Sequence, residues 1–161
     1  MLFAIGDVHG HHLKLVRVME HCRAYAEAKG ERHVSYVLLG DYVDRGPDSA
    51  GILDWLASRP ANVHAIAGNH EDMMLHAVEG GEPLIRWLAN GGSDTLRSYG
   101  KSDLPEIPRT HLDLVAALPL FLDDGLRLFV HAGIDVADPE AREASVLLWT
   151  RKHPADDAPL P

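Results

Sequence analysis

The sequence predicts an α/β fold with a mostly parallel sheet, because apolar segments alternate with helix patterns through the first half of the chain. Three apolar segments, at 2–5, 34–39 and 63–67, are each followed directly by a glycine, which is typical of short buried strands. Helix patterns at 12–28 and 49–58 separate these segments, and each of them places apolar residues on one face. Strand and helix therefore alternate as they do in strand–helix–strand units.

The second half of the chain predicts further helices and then a hairpin. Helices are expected at 70–78 and 83–89, a loop at Asn90-Gly91-Gly92, and a short helix at 93–99. Thr110 is placed to cap a helix that runs to Leu118. The segments 120–122 and 126–130 flank Asp123-Asp124-Gly125, which indicates a β-hairpin. Residues 156–161 are rich in proline, aspartate and alanine, and we expect them to form a disordered tail.

The composition restricts the classes of partner and compartment. A chain of 161 residues is long enough for one domain with one core. The net charge of −9 argues against a nucleic-acid partner bound through a broad basic surface. Cys22 is the only cysteine, and neither a signal peptide nor an apolar stretch long enough to cross a membrane is recognisable. We therefore expect a cytoplasmic protein with no membrane partner.

Four short motifs follow predicted strands, and each carries side chains that can bind metal ions. They are Gly-Asp-Val-His-Gly at 6–10, Gly-Asp-Tyr-Val-Asp-Arg-Gly at 40–46, Gly-Asn-His-Glu at 68–71 and His-Ala-Gly at 131–133. Active sites of open α/β sheets lie at the carboxyl ends of the strands, so the motifs should meet there.

The candidate ligands are oxygen and imidazole donors without a thiolate, and they are Asp7, His9, Asp41, Asn69 and His131. This set suits Mn, Fe or Zn ions, and Asp41 could bridge two of them through its two oxygens. The sequence therefore predicts a two-metal hydrolytic centre.

The chain resembles the phosphoprotein phosphatase branch of the calcineurin-like metallophosphoesterases from residue 1 to about Arg151. The resemblance includes Asp-Arg-Gly at 44–46 and Gly-Asn-His-Glu at 68–71, and it is greatest to the small bacterial and phage serine/threonine protein phosphatases. The stretches 87–92 and 98–100 also resemble that bacterial group. The resemblance implies layered β-sheets flanked by helices and two divalent ions, with Mn preferred over Fe or Zn.

The same resemblance implies an activity and residue roles. The substrate would be a phosphoprotein or a small phosphomonoester, and a hydroxide that bridges the two ions would attack phosphorus directly. The first ion would be bound by Asp7, His9 and Asp41, and the second by Asp41, Asn69 and His131. The catalytic pair would be His70, as the general acid that protonates the leaving alkoxide, and Asp44, which orients it. Phosphate oxygens would be held by Arg45 and Arg151.

One feature departs from the family pattern. The family has a further metal-binding histidine in a Gly-His-Thr-like motif some tens of residues after His-Ala-Gly, and His153, in Lys-His-Pro, does not match it. We therefore expect the catalytic domain, at 1–155, to lack its C-terminal part.

Two other functions stay open at this point. The first is hydrolysis of dinucleoside tetraphosphates on the same fold, although such relatives tend to lack an aspartate at the position of Asp44 and a glutamate at that of Glu71. The second is an inactive module that binds metal and phosphate, because the last histidine is absent. Taken singly, each candidate could also be a turn residue or a surface histidine, and His111 is expected to be solvated.

Overall fold

The computed structural model of the protein describes residues 1–135 and 137–151. Its helices and strands alternate in the first half of the chain, as predicted. The elements in order are β1 (Leu2–Ile5), α1 (His12–Ala28), β2 (Ser35–Leu38), α2 (Ser49–Ala57), β3 (Val63–Ala65), α3 (Asn69–His76), α4 (Gly81–Trp87), α5 (Ser93–Ser98), α6 (Arg109–Ala116), β4 (Phe121–Asp123), β5 (Leu128–Val130) and α7 (Ala144–Leu147). Short 3₁₀ turns occur at Ala77–Glu79 and Leu104–Glu106, and Leu88–Gly92 is π-helical.

The first three strands form a parallel sheet in the order β1-β2-β3. Phe3 lies opposite Tyr36, and Tyr36 lies opposite Val63, so β2 is the central strand. The side chains of β2 from Tyr36 to Leu38 are buried, as expected of a central parallel strand covered on both faces. The predicted parallel sheet is therefore confirmed, with strand ends within two residues of the predicted ones.

The predicted hairpin is also confirmed. Strands β4 and β5 pair antiparallel, with Leu122 opposite Phe129, and a turn at 124–127 connects them. The segment before the hairpin is joined to the end of the parallel sheet, because the backbone N–H of Ala67 donates to the carbonyl of Pro119 at 2.8 Å. This link brings the residue after β5, His131, to the carboxyl ends of the parallel strands.

One local prediction is wrong, and another is confirmed in part. Thr110 is not the N-cap of its helix: α6 begins at Arg109, and Pro108 is the N-cap, since its carbonyl accepts from the N–H of His111 at 2.9 Å. The expected loop at 90–92 is a break between two helices at Gly91, where φ is +114° and the backbone is not helical, but the residues on either side of Gly91 continue the helical turns. The reason for that break lies in the site, as described below.

The hydrophobic core joins the helices to the sheet beneath the predicted site. Tyr42, Ile52, Leu53, Met74 and Trp87 are fully buried members of this core. Tyr42 follows directly after Asp41, and its hydroxyl donates to the carbonyl of Ile66 at 2.8 Å, so the loop after β2 is tied to the end of β3. In the described part of the chain, no helix is long and apolar enough to cross a membrane.

Candidate metal centre and catalytic pair

The five predicted metal ligands lie together at the carboxyl ends of the strands. Asp7 and His9 follow β1, Asp41 follows β2, and Asn69 is the first residue of α3 after β3, while His131 directly follows β5. Backbone hydrogen bonds join the first two loops, because the N–H groups of Val8 and His9 donate to the carbonyl of Asp41 at 3.0 and 2.8 Å. The loops that carry the ligands are thus fixed to one another as well as to the sheet.

Two groups of donor atoms share Asp41. One consists of Asp7, Asp41 and His131, the other of His9, Asp41 and His70, and in each group the donor atoms lie within 4.8 Å of one another. The Nε2 atoms of His9 and His131 lie 3.6 and 3.5 Å from the two different carboxylate oxygens of Asp41. Because Asp41 is only 3% exposed, its charge is little screened by water. This arrangement fits two dications bridged by one carboxylate.

The tautomers of the two ligand histidines also fit metal binding. Nδ1 of His9 lies 2.9 Å from the carbonyl of Val43, and Nδ1 of His131 lies 2.7 Å from the carbonyl of Leu39. A carbonyl can only accept, so each Nδ1 donates a proton to it, and Nε2, which faces Asp41, is the ring nitrogen left to bind a metal. Such a hydrogen bond on the opposite ring nitrogen is typical of histidines that bind metals.

The Asn69 side chain adds to the group formed by Asp7, Asp41 and His131. Its amide oxygen lies 3.0 Å from Nε2 of His131, and the amide also faces both carboxylate oxygens of Asp41. If the amide oxygen of Asn69 faces Asp41 and His131, it adds another possible ligand atom to this cluster, and a bound cation would stabilise the cluster. With its nitrogen inward, the amide would donate to the same atoms at 3.0–3.3 Å. The donor set therefore fits divalent ions through Asn69 as well.

His70 and Asp44 form a buried pair beside these groups. Nδ1 of His70 donates to Oδ2 of Asp44 at 2.7 Å, and the two side chains are 2% and 0% exposed. The ring of His70 lies edge to face with that of His9, at 4.7 Å between centroids. A carboxylate bonded to Nδ1 fixes the orientation of the ring and leaves Nε2 available to act on a substrate. The geometry is that of an oriented proton donor.

Two partners of Asp44 were not predicted from the sequence. Trp87 donates its indole N–H to both carboxylate oxygens at 3.1 Å, and Thr95 donates its hydroxyl to Oδ1 at 2.7 Å. Both residues lie on apolar helix faces, so their sequence pattern indicates core packing only. The one available signal was the Trp87-Leu88-Ala89-Asn90-Gly91-Gly92 stretch, whose paired glycines indicate a close approach of two backbones.

Glu71 supports the ligand loop without facing the metal groups. Its carboxylate accepts from the N–H groups of Gly68 and Asp41 at 2.8 Å each, and from those of Tyr42 and Val43 at 2.7 and 3.2 Å. Burial and the neighbouring charge of Asp41 raise the pKa of Glu71 to about 7, while these N–H groups oppose the rise by binding the ionised form. Glu71 is thus a brace between the start of α3 and the loop after β2.

The site backbone departs from ordinary conformations at four non-glycine residues. His9, Asp41, Asp44 and Arg45 have φ values of +43°, +55°, +72° and +65°, in the left-handed region. A side chain in this region costs on the order of 1 kcal/mol per residue, and such strain is concentrated at functional sites. The hydrogen bonds that Glu71 accepts and those between the loops offset that cost.

The two predicted phosphate-binding arginines differ in how closely the structure brings them to the site. Nη1 of Arg45 lies 2.7 Å from Nε2 of His9, at the exposed edge of the ligand groups. Arg151 is exposed, and it follows a segment that lies against the His-Ala-Gly motif, since the N–H of Ala132 donates to the carbonyl of Leu147 at 2.8 Å. Arg45 thus lies beside the candidate ligand groups, whereas the role of Arg151 stays a prediction. His153 and the tail at 156–161 lie outside the described residues.

We expect Gly68→Ala to lower metal affinity by roughly 10–100-fold, the range known for residues that orient metal ligands. A Cβ at this position would lie 2.2 Å from Oδ1 and 2.3 Å from the backbone nitrogen of Asp41, so the shared ligand would have to move. Isothermal titration with Mn²⁺ measures the change. Gly6→Ala is the matched control, because a Cβ there meets nothing within 4 Å. Equal affinities in the two variants would show that Asp41 tolerates the displacement.

Two kinds of known protein are similar to this chain. The chain is 36% identical over 91 residues to serine/threonine-protein phosphatase 1 of Salmonella typhimurium, a match that covers 56% of this chain and 38% of the relative. It is 32% identical over 132 residues to the symmetrical bis(5'-nucleosyl)-tetraphosphatase of Dechloromonas aromatica, which covers 82% of this chain and 43% of the relative. The chain therefore spans less than half the length of either relative.

The fold and the family agree with the resemblance found in the sequence. A serine/threonine phosphatase from Saccharomyces cerevisiae superposes with a TM-score of 0.53 at 19% identity, over 94% of this chain and 49% of that one, which supports the fold alone. The family of calcineurin-like phosphoesterases matches residues 2–159, almost the entire sequence. With the metallophosphoesterase fold, the shared-carboxylate ligand groups and this match, the chain belongs to the calcineurin-like phosphoesterase family.

Proposed function

We propose that the chain is a metal-dependent phosphomonoester hydrolase that acts on phosphoserine or phosphothreonine in proteins. The observation that carries the proposal is the buried hydrogen bond of 2.7 Å between His70 and Asp44, beside two ligand groups that share Asp41. When bound, two divalent ions would supply positive charge against the phosphate and an activated water. We take Mn²⁺ as the preferred metal and the cytoplasm as the compartment, both as parts of the proposal.

The catalytic pair favours an alcohol as the leaving group. A serine or threonine alkoxide is strongly basic, so its departure from phosphorus is fast only if a proton arrives as the bond breaks. A phosphate chain, as in a dinucleoside tetraphosphate, is a much weaker base and gains less from a proton donor. An oriented His70 is therefore most useful for a phosphomonoester of an aliphatic alcohol.

Arg45 and Arg151 are proposed to bind the remaining phosphate oxygens. The guanidinium of Arg45 lies at the edge of the ligand groups, 2.7 Å from His9, where it could turn toward a bound phosphate. A planar fork of N–H donors matches the spacing of two phosphate oxygens. Arg45 would thus orient the phosphate for attack opposite the leaving oxygen.

A second candidate is the hydrolysis of dinucleoside tetraphosphates. The Dechloromonas aromatica relative supports it, because that match covers 82% of this chain, against 56% for the Salmonella typhimurium phosphatase. The test compares a phosphoserine peptide with a diadenosine tetraphosphate, each at saturating Mn²⁺. A kcat/KM at least about tenfold higher for the peptide, or about 1.4 kcal/mol in transition-state binding, supports the phosphatase, and the reverse order supports the tetraphosphatase.

We expect Asp41→Asn to lower kcat/KM for the phosphopeptide by more than about a hundredfold, because several kcal/mol of charge stabilisation depend on the bound ions. The variant keeps the shape of the side chain but removes the charge that both ligand groups share. Metal content by mass spectrometry should fall in parallel. Asp113→Asn is the control, since Asp113 is exposed and its one ion-pair partner among the described residues is Arg109 on the same helix. Wild-type protein that binds Mn²⁺ and phosphate without turnover would instead indicate an inactive binding module.

A further inference from the structure

The Asp44 carboxylate is fully buried, and two uncharged side chains donate hydrogen bonds to it. Its one ion-pair partner among residues 1–135 and 137–151 is His70, and neither oxygen receives a lysine or arginine. A buried carboxylate needs hydrogen-bond donors in place of the water that burial removes. Here the indole N–H of Trp87 and the hydroxyl of Thr95 donate to it, so both oxygens are bonded inside the core.

The hydroxyl of Thr95 has a fixed direction in this network. A hydroxyl has a single proton, and the Thr95 proton goes to the anion Asp44 at 2.7 Å, the shortest of its contacts. Thr95 must then accept from the N–H of Asp44 at 2.8 Å and from the hydroxyl of Ser49 at 3.0 Å. Thr95 therefore holds Asp44 at both its backbone and its carboxylate, which fixes the direction of the side chain.

The turn between α4 and α5 is shaped to bring these donors to Asp44. At Gly91, where φ is +114°, an added Cβ would lie 2.8 Å from the backbone nitrogen of Arg45 and 3.2 Å from the Cβ of Asp44. At Gly92, a Cβ would lie 2.4 Å from the ring of Trp87. Because Gly91 and Gly92 have no side chains, the turn fits between the Trp87 indole and the loop that carries Asp44. This close packing explains why the chain bends at Gly91.

We propose that Trp87 and Thr95 are positioning residues that hold the Asp44 carboxylate aimed at Nδ1 of His70, and so set the rate at which the leaving group is protonated. The inference rests on the proposed function, since it assigns these residues to the proton donor of the same site. Neither residue touches the substrate in this scheme. Their loss should slow the reaction of poor leaving groups and leave metal binding unchanged.

The test compares two phosphomonoesters that differ in the basicity of the leaving group. Phenolate needs a proton far more than p-nitrophenolate does. For Trp87→Phe and Thr95→Val, kcat with phenyl phosphate should fall about 10–100-fold, as for other supporting hydrogen bonds, and kcat with p-nitrophenyl phosphate less than about threefold. KM and Mn²⁺ affinity should stay at wild-type values. Thr95→Ser keeps the hydroxyl and should restore most of the phenyl phosphate rate.

Trp55→Phe is the matched control, because Trp55 packs against the same core and stacks near His12, away from Asp44. Thermal unfolding of each variant shows whether it is folded at the assay temperature. Equal slowing of both substrates, or a Thr95→Ser variant as slow as Thr95→Val, would overturn the proposal. If Trp87→Phe does not fold, the Thr95 pair decides the outcome.

A nuclear magnetic resonance measurement, which does not depend on turnover, tests the positioning role separately from the proposed function. The Nδ1 proton of His70 gives a nuclear magnetic resonance signal, assigned by its loss in His70→Asn, that reports its hydrogen bond to Asp44. Trp87→Phe and Thr95→Val should shift this signal upfield, and Trp55→Phe should not. Wild-type protein that hydrolyses neither ester refutes the proposed function. An unshifted His70 signal in both variants refutes the positioning role, whatever the activity.

Discussion

His70→Asn is expected to slow the hydrolysis of phenyl phosphate by about 10²–10⁴-fold, the usual contribution of a general acid. The reason is that His70 is the buried proton donor, bonded to Asp44 through Nδ1 and therefore free to act through Nε2. With p-nitrophenyl phosphate, whose leaving group hardly needs a proton, the loss should be less than about tenfold. Steady-state kinetics on the two esters at saturating Mn²⁺ measures the difference.

The competing role for His70 is that of a metal ligand. His70 belongs to one of the two donor groups, with His9 and Asp41, so its Nε2 lies where an ion could bind. A ligand role predicts that His70→Asn loses about one ion per chain and slows both esters equally, whereas a general acid leaves metal content unchanged. His76→Asn is the control, because His76 lies on the same helix but 60% of its side chain is exposed.

That the five predicted metal ligands lie close together could be predicted from the sequence, because the motifs that carry them follow apolar segments. A strand end fixes where the next residue emerges, and parallel strands bring their carboxyl ends to one edge, so Asp7, Asp41 and Asn69 had to meet there. His131 needed one more inference, that the hairpin lies beside the sheet. The structure supplies the reason in the hydrogen bond from its Nδ1 to Leu39.

The hydrogen bonds that Trp87 and Thr95 donate to Asp44 could not be predicted in this way. Trp87 and Thr95 are 43 and 51 residues from Asp44, and no periodic pattern connects helix positions so distant in sequence. A tryptophan on an apolar face indicates core burial, which is correct, but the direction of its N–H depends on tertiary packing. The same limit explains His111, which was expected to be solvated but is 6% exposed. Its Nδ1 lies 2.6 Å from the hydroxyl of Tyr99, a contact between two helices.

We expect Glu71→Gln to lower the free energy of unfolding by about 2–4 kcal/mol at pH 8, because two hydrogen bonds to a buried charged group are lost and become repulsive contacts. Each carboxylate oxygen of Glu71 accepts two backbone N–H groups. The amide nitrogen of glutamine would face two of these donors with its own N–H groups, so at least two bonds are lost in either orientation. The chosen pH lies above the pKa of about 7, so the wild-type side chain is mostly ionised. Urea denaturation of the metal-stripped protein measures the change.

Glu71→Gln should weaken metal binding as well as lower the stability of the fold. Glu71 holds the backbone of Asp41, and Asp41 adopts a left-handed φ of +55° that an unsupported loop would leave. Mn²⁺ affinity should therefore fall together with stability in Glu71→Gln. Glu79→Gln, at an exposed position in the 3₁₀ turn after the same helix, should change the free energy of unfolding by less than about 0.5 kcal/mol. A Glu71→Gln variant that unfolds at the wild-type urea concentration but binds Mn²⁺ weakly would show that Glu71 acts on the ions directly, and would contradict its assignment as a backbone brace.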